Sequence, residues 1–274
     1  VEDSAEAIGA FAGPAEADRF RAFTQRTREV YETLETPFLR SRKPNPISLS
    51  NRVGLNHFGD LWRLRPFATL AQALADHFED PRLRQLYGRY ATYCGSSPYE
   101  APATLMLVAH VEQDGVWYLD GDMHSLAQAL ARVATRHGAH IECGRGVDRI
   151  LFSGSAVAGV MLVDGEVIPA DHVIVNADAN AVATGLFGAA AAAGVAPVPP
   201  GARSLSACVW TLNATATGFP LAHHNVFFGA DYPTEFREIF TERRLPSDPT
   251  VYICAQDRAD EARRALERRA DTDA

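Results

Sequence analysis

The segment from Gly115 to Asp178 constrains the fold most, because its apolar spacing and its glycines set an order of elements. A helix is predicted from Asp122, which (or whose neighbour) can cap it, with Met123, Leu126, Leu130, Val133 and Ala134 recurring at helical spacing. Arg136 and His137 make a basic last turn and Gly138 a stop. Strands are predicted at 116–119 before this helix and at 139–142, 147–152, 157–163 and 172–175 after it. Each is bounded by glycine or by a turn such as Val163-Asp164-Gly165-Glu166. Strand, helix, strand, meander, strand is a mixed α/β pattern.

Residues 1–113 read as mostly helical. Ser4 can cap a helix through Phe11, closed by Gly13-Pro14. A longer helix carries Phe20, Phe23, Thr27, Val30, Tyr31 and Leu34 and ends near Pro37. Leu61, Leu64, Phe67, Leu70, Leu74 and Phe78 form a broad apolar face interrupted at Pro66, and Asp80-Pro81 opens a helix with Leu83, Leu86, Tyr87 and Tyr90. A further helix covers 101–112. Beyond Asp178 come a helix at 179–187, an Ala/Pro/Gly loop at 188–201, strands at 205–213, 225–228 and 251–254, and a short helix at 231–240. The charged, alanine-rich residues 259–274 make a solvated helix or a disordered tail. The expected organisation is a helical lobe at 1–113, an α/β segment at 114–187, a loop at 188–203, further strands at 204–258 and the tail.

At 274 residues, 47% hydrophobic and 22% charged, the chain has an ordinary globular balance and room for two lobes. A net charge of −8 argues against non-specific nucleic-acid binding, which rests on basic patches. Lys43 is the one lysine, so no other position offers a phosphate-loop or Schiff-base amine. Cys94, Cys143, Cys208 and Cys254 show no CxxC spacing, which argues against zinc and disulfide frameworks and fits a reducing cytosol. No secretory signal and no run of 18 apolar residues is found. Asp120-Gly121-Asp122 with His124 lacks further carboxylates for a divalent ion, and His223-His224 would point to opposite faces of an extended segment, so no metal is expected. Neither a G-x-S-x-G elbow nor HExxH occurs.

Several of these pieces together resemble a known family. Residues Trp117 to Leu130, Val147-Asp148-Arg149-Ile150, Val157 to Gly165 and Val173 to Asp178 follow in order the W-Y/F-x-x-G-G-M-x-x-L-x-x-A-L, V-x-x-I, V-x-G-V-x-L-x-D-G and V-x-x-N-A-D pieces of the flavin-dependent amine-oxidase-like proteins. Within that group they are most similar to the bacterial-type carotenoid (phytoene) desaturases. Asp122 stands where the family has its second glycine, which costs backbone freedom at that turn. The runs FEDPRLRQLYGRYATYCGSSPYEAP, SLSACVW, LAHHNVFFGADYPTEF and DPTVYICAQDR resemble the hydroxyneurosporene (methoxyneurosporene) desaturase branch, so the likeness extends from about Ser4 to Arg258.

The resemblance implies the middle part of a two-lobed FAD-dependent fold, with a helical substrate lobe and a flavin-side sheet. It implies FAD as the acceptor of a hydride from a carbon–carbon single bond of a long apolar polyene, with the protein supplying orientation. Gly121 and Met123 would lie at the turn facing the flavin, Val147 at the adenine end, and Asn176-Ala177-Asp178 beneath it. Arg89, Tyr90, Tyr93 and Tyr99 would be on the substrate side; simple packing of tyrosines in a core is the alternative. No catalytic acid or base is identified. A cytoplasmic protein attached peripherally to a membrane surface is expected, since the apolar helical faces can pack in a core or meet lipid.

The family's opening strand, G-x-G-x-x-G turn and helix are not found in this chain. Gly144-Arg145-Gly146 lacks the third glycine and leads into a strand, so it is rejected as a phosphate loop. The expectation is a fragment inactive by itself. A flavin oxidase of a soluble amine-like substrate, or a non-catalytic carotenoid- or membrane-binding remnant, are the competing readings.

Overall fold

The computed structural model describes residues 1–41, 67–117, 119 and 122–258. The chain divides into two compact units, Val1–Tyr118 with Ser204–Ala274, and Leu119–Arg203.

In the first unit, α1 (Glu2–Ala12) ends at Gly13, whose φ of 96° only glycine adopts readily, and α2 (Pro14–Leu34) starts on the next residue. The buried residues of α2 are spaced by three and four: Phe20, Phe23, Thr27, Val30 and Leu34. The sequence ends this helix near Pro37, but a π-helical turn, Glu35–Leu39, carries the backbone through it. Its wider hydrogen bond, from the Arg40 N–H to the Glu35 carbonyl at 2.9 Å, spans the proline without needing the missing N–H.

The apolar face expected at 61–78 falls partly outside the described residues, and its helix, α3 (Leu70–His77), begins late. Thr69 is the reason. Its hydroxyl accepts from the Gln72 N–H at 3.2 Å while the Gln72 side chain accepts from the Thr69 N–H at 2.9 Å, a complete capping box. Next, α4 (Pro81–Gly88) starts as predicted, with Asp80 accepting from the Arg82 N–H at 2.8 Å and Pro81 in the first turn. A 3₁₀ segment (Arg89–Cys94) closes at Gly95. The helix expected at 101–112 is a 3₁₀ turn (Ala103–Met106) continued by α5 (Leu107–Asp114). α2 packs against α1, α3 and α5. At the centre of this core the Phe23 ring lies 5.0 Å from Phe78 and 4.8 Å from Tyr87, and Phe78 stacks on Tyr87 at 5.3 Å.

The second unit holds α6 (Asp122–Arg136), stopped at Gly138, where φ is 90°. It is followed by an antiparallel meander, β1 (Val147–Ser153), β2 (Ala156–Leu162) and β3 (Val167–Pro169). Ile150 faces Val160 across one pair, and Val160 faces Ile168 across the other. Gly159 is required at φ 145°: a Cβ there would lie 2.2 Å from the Ile168 carbonyl oxygen. The predicted turn at Asp164-Gly165 forms, but the strand it leads to, β3, was not expected.

The expected strands at 116–119, 139–142 and 172–175 are absent among the described residues, because a strand needs a neighbour's ladder and the meander pairs only with itself. α7 (Ala179–Ala183) is shorter than the expected 179–187, since Gly185 at φ 95° turns the chain, and a four-residue α8 (Ala189–Ala192) stands in the expected loop.

Back in the first unit, the expected strand at 205–213 is irregular, tied at its start by the Leu205 N–H to the Gly95 carbonyl at 3.2 Å. β4 (His224–Phe227) pairs antiparallel with β5 (Val251–Cys254). Between them α9 (Tyr232–Arg237) continues as a π-helical turn, Glu238–Glu242. The buried Glu238 accepts from the Ser247 N–H at 2.6 Å and pairs with Arg244, and so pins the return loop. The tail at 259–274 lies outside the described residues. Among the described residues no helix is long and apolar enough to cross a membrane.

Candidate functional site

The sequence-selected loop begins where α4 tightens into the 3₁₀ segment. A 3₁₀ turn eclipses side chains three residues apart, so Tyr90 and Tyr93 lie on one side with ring centroids 5.9 Å apart and planes tilted by 39°. Tyr87, another three residues back, lies 5.9 Å from Tyr90. Two of these hydroxyls reach one carboxylate of α5: Tyr90 donates to Glu112 at 2.7 Å and Tyr93 at 3.4 Å. Tyr90 is buried, while Tyr93 is 68% exposed, so the ladder runs from the core to the surface. Burial, and then the bond to the Glu112 carboxylate, push the Tyr90 hydroxyl far above the ordinary tyrosine range; burial also raises Tyr93. These hydroxyls are therefore neutral donors and not bases at neutral pH.

Arg89 and Tyr99 turn to a second cluster. The Arg89 guanidinium lies 4.0 Å from the buried Glu235 carboxylate, whose oxygens accept from the Thr250 N–H at 3.0 Å and the Thr250 hydroxyl at 2.7 Å. Tyr99 meets Phe236 edge-on at 6.2 Å, and Phe236 meets Tyr232 at 4.9 Å. Tyr232 approaches because Gly88 has no side chain: a Cβ there would lie 3.2 Å from the ring. The Tyr232 hydroxyl is buried with no hydrogen-bond partner among the described residues. Burial raises Tyr232 and Tyr99 above the usual tyrosine value. Gly95, at φ 64°, closes the loop, and a Cβ there would sit 2.3 Å from that of Ser204.

The structure thus places the four residues in two pairs and adds Glu112, Tyr232, Glu235 and Phe236. The NVFFGADYPTEF run held three of these four in plain sight, but sequence periodicity does not say which distant segment faces the loop.

On the other unit, Gly121 lies outside the described residues. Met123 is exposed on the first turn of α6, and Val147 opens β1. Asn176, Ala177 and Asp178 are exposed and sit in irregular backbone, not at the end of a strand. The Asp178 side chain is engaged at the start of α7, accepting from the Asn180 N–H at 2.7 Å and standing 3.6 Å from Arg203. Exposed as they are, Met123, Val147 and Asn176 to Asp178 are accessible to a flavin laid against them. Gly144-Arg145-Gly146 leads into β1, with Arg145 held by Glu142 and Glu166.

His223 and His224 depart from the sequence reading. Their imidazoles meet edge to face at 4.4 Å instead of pointing apart, because only His224 belongs to β4. Burial, and then neighbouring His223, hold His224 below the usual histidine value.

The family described as flavin containing amine oxidoreductase matches residues 40–211. Hydroxyneurosporene desaturase of Rubrivivax gelatinosus is 49% identical over 261 residues, covering 95% of this chain and 50% of that protein. Hydroxyneurosporene desaturase of Cereibacter sphaeroides is 42% identical, covering 94% of this chain and 52% of its own. The 4,4'-diaponeurosporene oxygenase of Staphylococcus haemolyticus is 34% identical over 197 residues, 71% of this chain and 39% of that protein. The chain spans about half the length of the curated relatives it matches most fully. The family match covers well over half of the chain, and the relatives' identity runs through both units: the chain belongs to the flavin containing amine oxidoreductase family.

Proposed function

We propose that this chain supplies the substrate side of an FAD-dependent carotenoid desaturase, acting on a hydroxylated or methoxylated neurosporene-type polyene. The carrying observation is the 49% identity, over 95% of the chain, to a protein named for that reaction. FAD, the cofactor this reading implies, supplies the acceptor for the hydrogen removed from the polyene. The part of this chain is orientation. The exposed rings of Tyr93 and Tyr99 suit a long apolar chain, with Phe236 and Tyr232 packed behind Tyr99, and the neutral hydroxyls of Tyr93 and Tyr99 suit an oxygen-bearing end. Val147, Met123, Gly121 and Asn176 to Asp178 are the residues proposed to border the flavin. A peripheral membrane contact, through which such a substrate would be drawn from lipid, belongs to the same proposal.

The test uses the chain with vesicles carrying hydroxyneurosporene or, as a control, the hydrocarbon polyene lacking the hydroxyl. The chain is expected to retain the hydroxylated polyene after vesicle removal without FAD, and Tyr99→Ala to reduce retention about ten-fold, as loss of one ring and one hydroxyl contact implies. Equal retention by Tyr99→Ala overturns the assignment of this loop. No retention by the unmodified chain, with turnover of soluble amines on adding FAD, overturns the substrate class.

A further inference from the structure

One cluster of ligand-bearing side chains belongs neither to the tyrosine loop nor to the residues expected beside the flavin. His223, His224 and Cys254 hold one ligand atom each within 4.8 Å of one another. The backbone builds this convergence. His224 and Cys254 are register partners where β4 begins and β5 ends. The Ala255 N–H then donates to the His223 carbonyl at 2.8 Å, which extends the pairing one residue past the strand and holds His223 beside the thiol. The result is Cys254 Sγ at 3.8 Å from His223 Nε2, with the His224 ring against that of His223. The Tyr252 hydroxyl stands 2.6 Å from His224 Nδ1.

We propose that His223, His224 and Cys254 form a binding site for a borderline-soft divalent transition-metal ion of the zinc class. Two imidazoles and a thiol select such ions over magnesium or calcium, which prefer oxygen. With metal–nitrogen bonds near 2.0 Å and metal–sulfur bonds near 2.3 Å, ligand atoms in a tetrahedral site lie roughly 3.3–3.6 Å apart. The 3.8 Å sulfur–nitrogen separation is within a small side-chain rotation of that spacing. Binding forms one metal–sulfur and two metal–nitrogen bonds and releases the Cys254 proton to solvent, with no change of oxidation state. The site then carries one net positive charge and a fourth position for water or another ligand. Tyr252 acts from outside, fixing the His224 ring as hydrogen-bonded partners do for metal-bound imidazoles.

The test is a cobalt(II) titration of the reduced chain followed by absorbance, with zinc as competitor. One equivalent is expected to bind, with a thiolate-to-cobalt charge-transfer band, one proton released, and the band erased by zinc. Cys254→Ser is expected to abolish the band and Cys208→Ser to leave it. Tyr252→Phe should weaken binding about ten-fold, the lower end for loss of an outer hydrogen bond. A charge-transfer band that survives Cys254→Ser overturns the proposal. So does the lack of any such band in the unmodified chain, a result that does not depend on how a variant folds.

Discussion

The helices α2 and α6 carry the same kind of apolar stripe, yet the two stripes meet opposite surroundings. On α2, Phe23 is fully buried against Phe78 and Tyr87. On α6, Met123 is 69% and Leu130 62% exposed. The difference lies in what each unit offers as cover. The first unit has α1, α3 and α5 packed on α2, contributed by segments close in sequence. In the second unit the buried apolar side chains among the described residues are Leu162 and Val182, neither on α6. Periodicity therefore reports which face of a helix is apolar, and not whether another element lies on that face.

The sharpest way to break the comparison is to truncate both stripes. Phe23→Ala removes a ring with three aromatic neighbours within the core and should cost about 3–5 kcal/mol. Leu130→Ala should stay within about 0.5 kcal/mol, because it removes a side chain already in water and places a good helix former. Urea midpoints for the two variants decide the matter. A cost for Leu130→Ala approaching that of Phe23→Ala would show the α6 stripe covered in solution, and the contrast would fail.

A smaller effect tests how far the first unit is held by local chemistry. Thr69→Ala deletes the hydroxyl that caps α3 and leaves the Gln72 N–H without it, at a cost of about 1 kcal/mol. Amide exchange in Leu70–His77 should accelerate more than exchange in α2. Uniform acceleration of both would mean that α3 does not open separately.

What could be read from the sequence follows the same division. α1, α2, α4, α6, β2 and β5 were legible because their caps, glycines and spacing are local: Asp80-Pro81, Gly13-Pro14 and Gly138 each act within one turn. The segments at 139–142, 172–175 and 205–213 are as β-prone as β1, but a strand exists only where another offers its edge. Their irregular, exposed state, with Ile174 at 95%, could not be read from composition. The tyrosine loop was visible as a cluster, whereas its pairing with Glu112 and its proximity to Phe236 depend on contacts 19 residues apart and more. The His223–His224 pair was misjudged because an extended backbone was assumed at both positions, when β4 takes in only the second.

The last expectation has no effect near neutral pH and isolates the first unit, since all eight tyrosines fall outside residues 119–203. Burial holds Tyr87, Tyr90 and Tyr232 protonated well above the ordinary range in the folded chain, while in the unfolded chain a tyrosine ionises near pH 10. Below that pH both states keep their protons and the shift changes nothing. Above about pH 10 the unfolded state has lost protons that the folded state still binds, so stability falls as pH rises toward the folded values. An alkaline titration should therefore show a late, cooperative phase of tyrosine ionisation that coincides with loss of helix in the first unit. Tyr90→Phe should shrink the late phase and delay it, having removed one group that drives it. If all tyrosines ionise together near pH 10 with the helices intact, the ladder from Tyr87 to Tyr93 is open to solvent, and the closed core that separates the first unit from the second is not there.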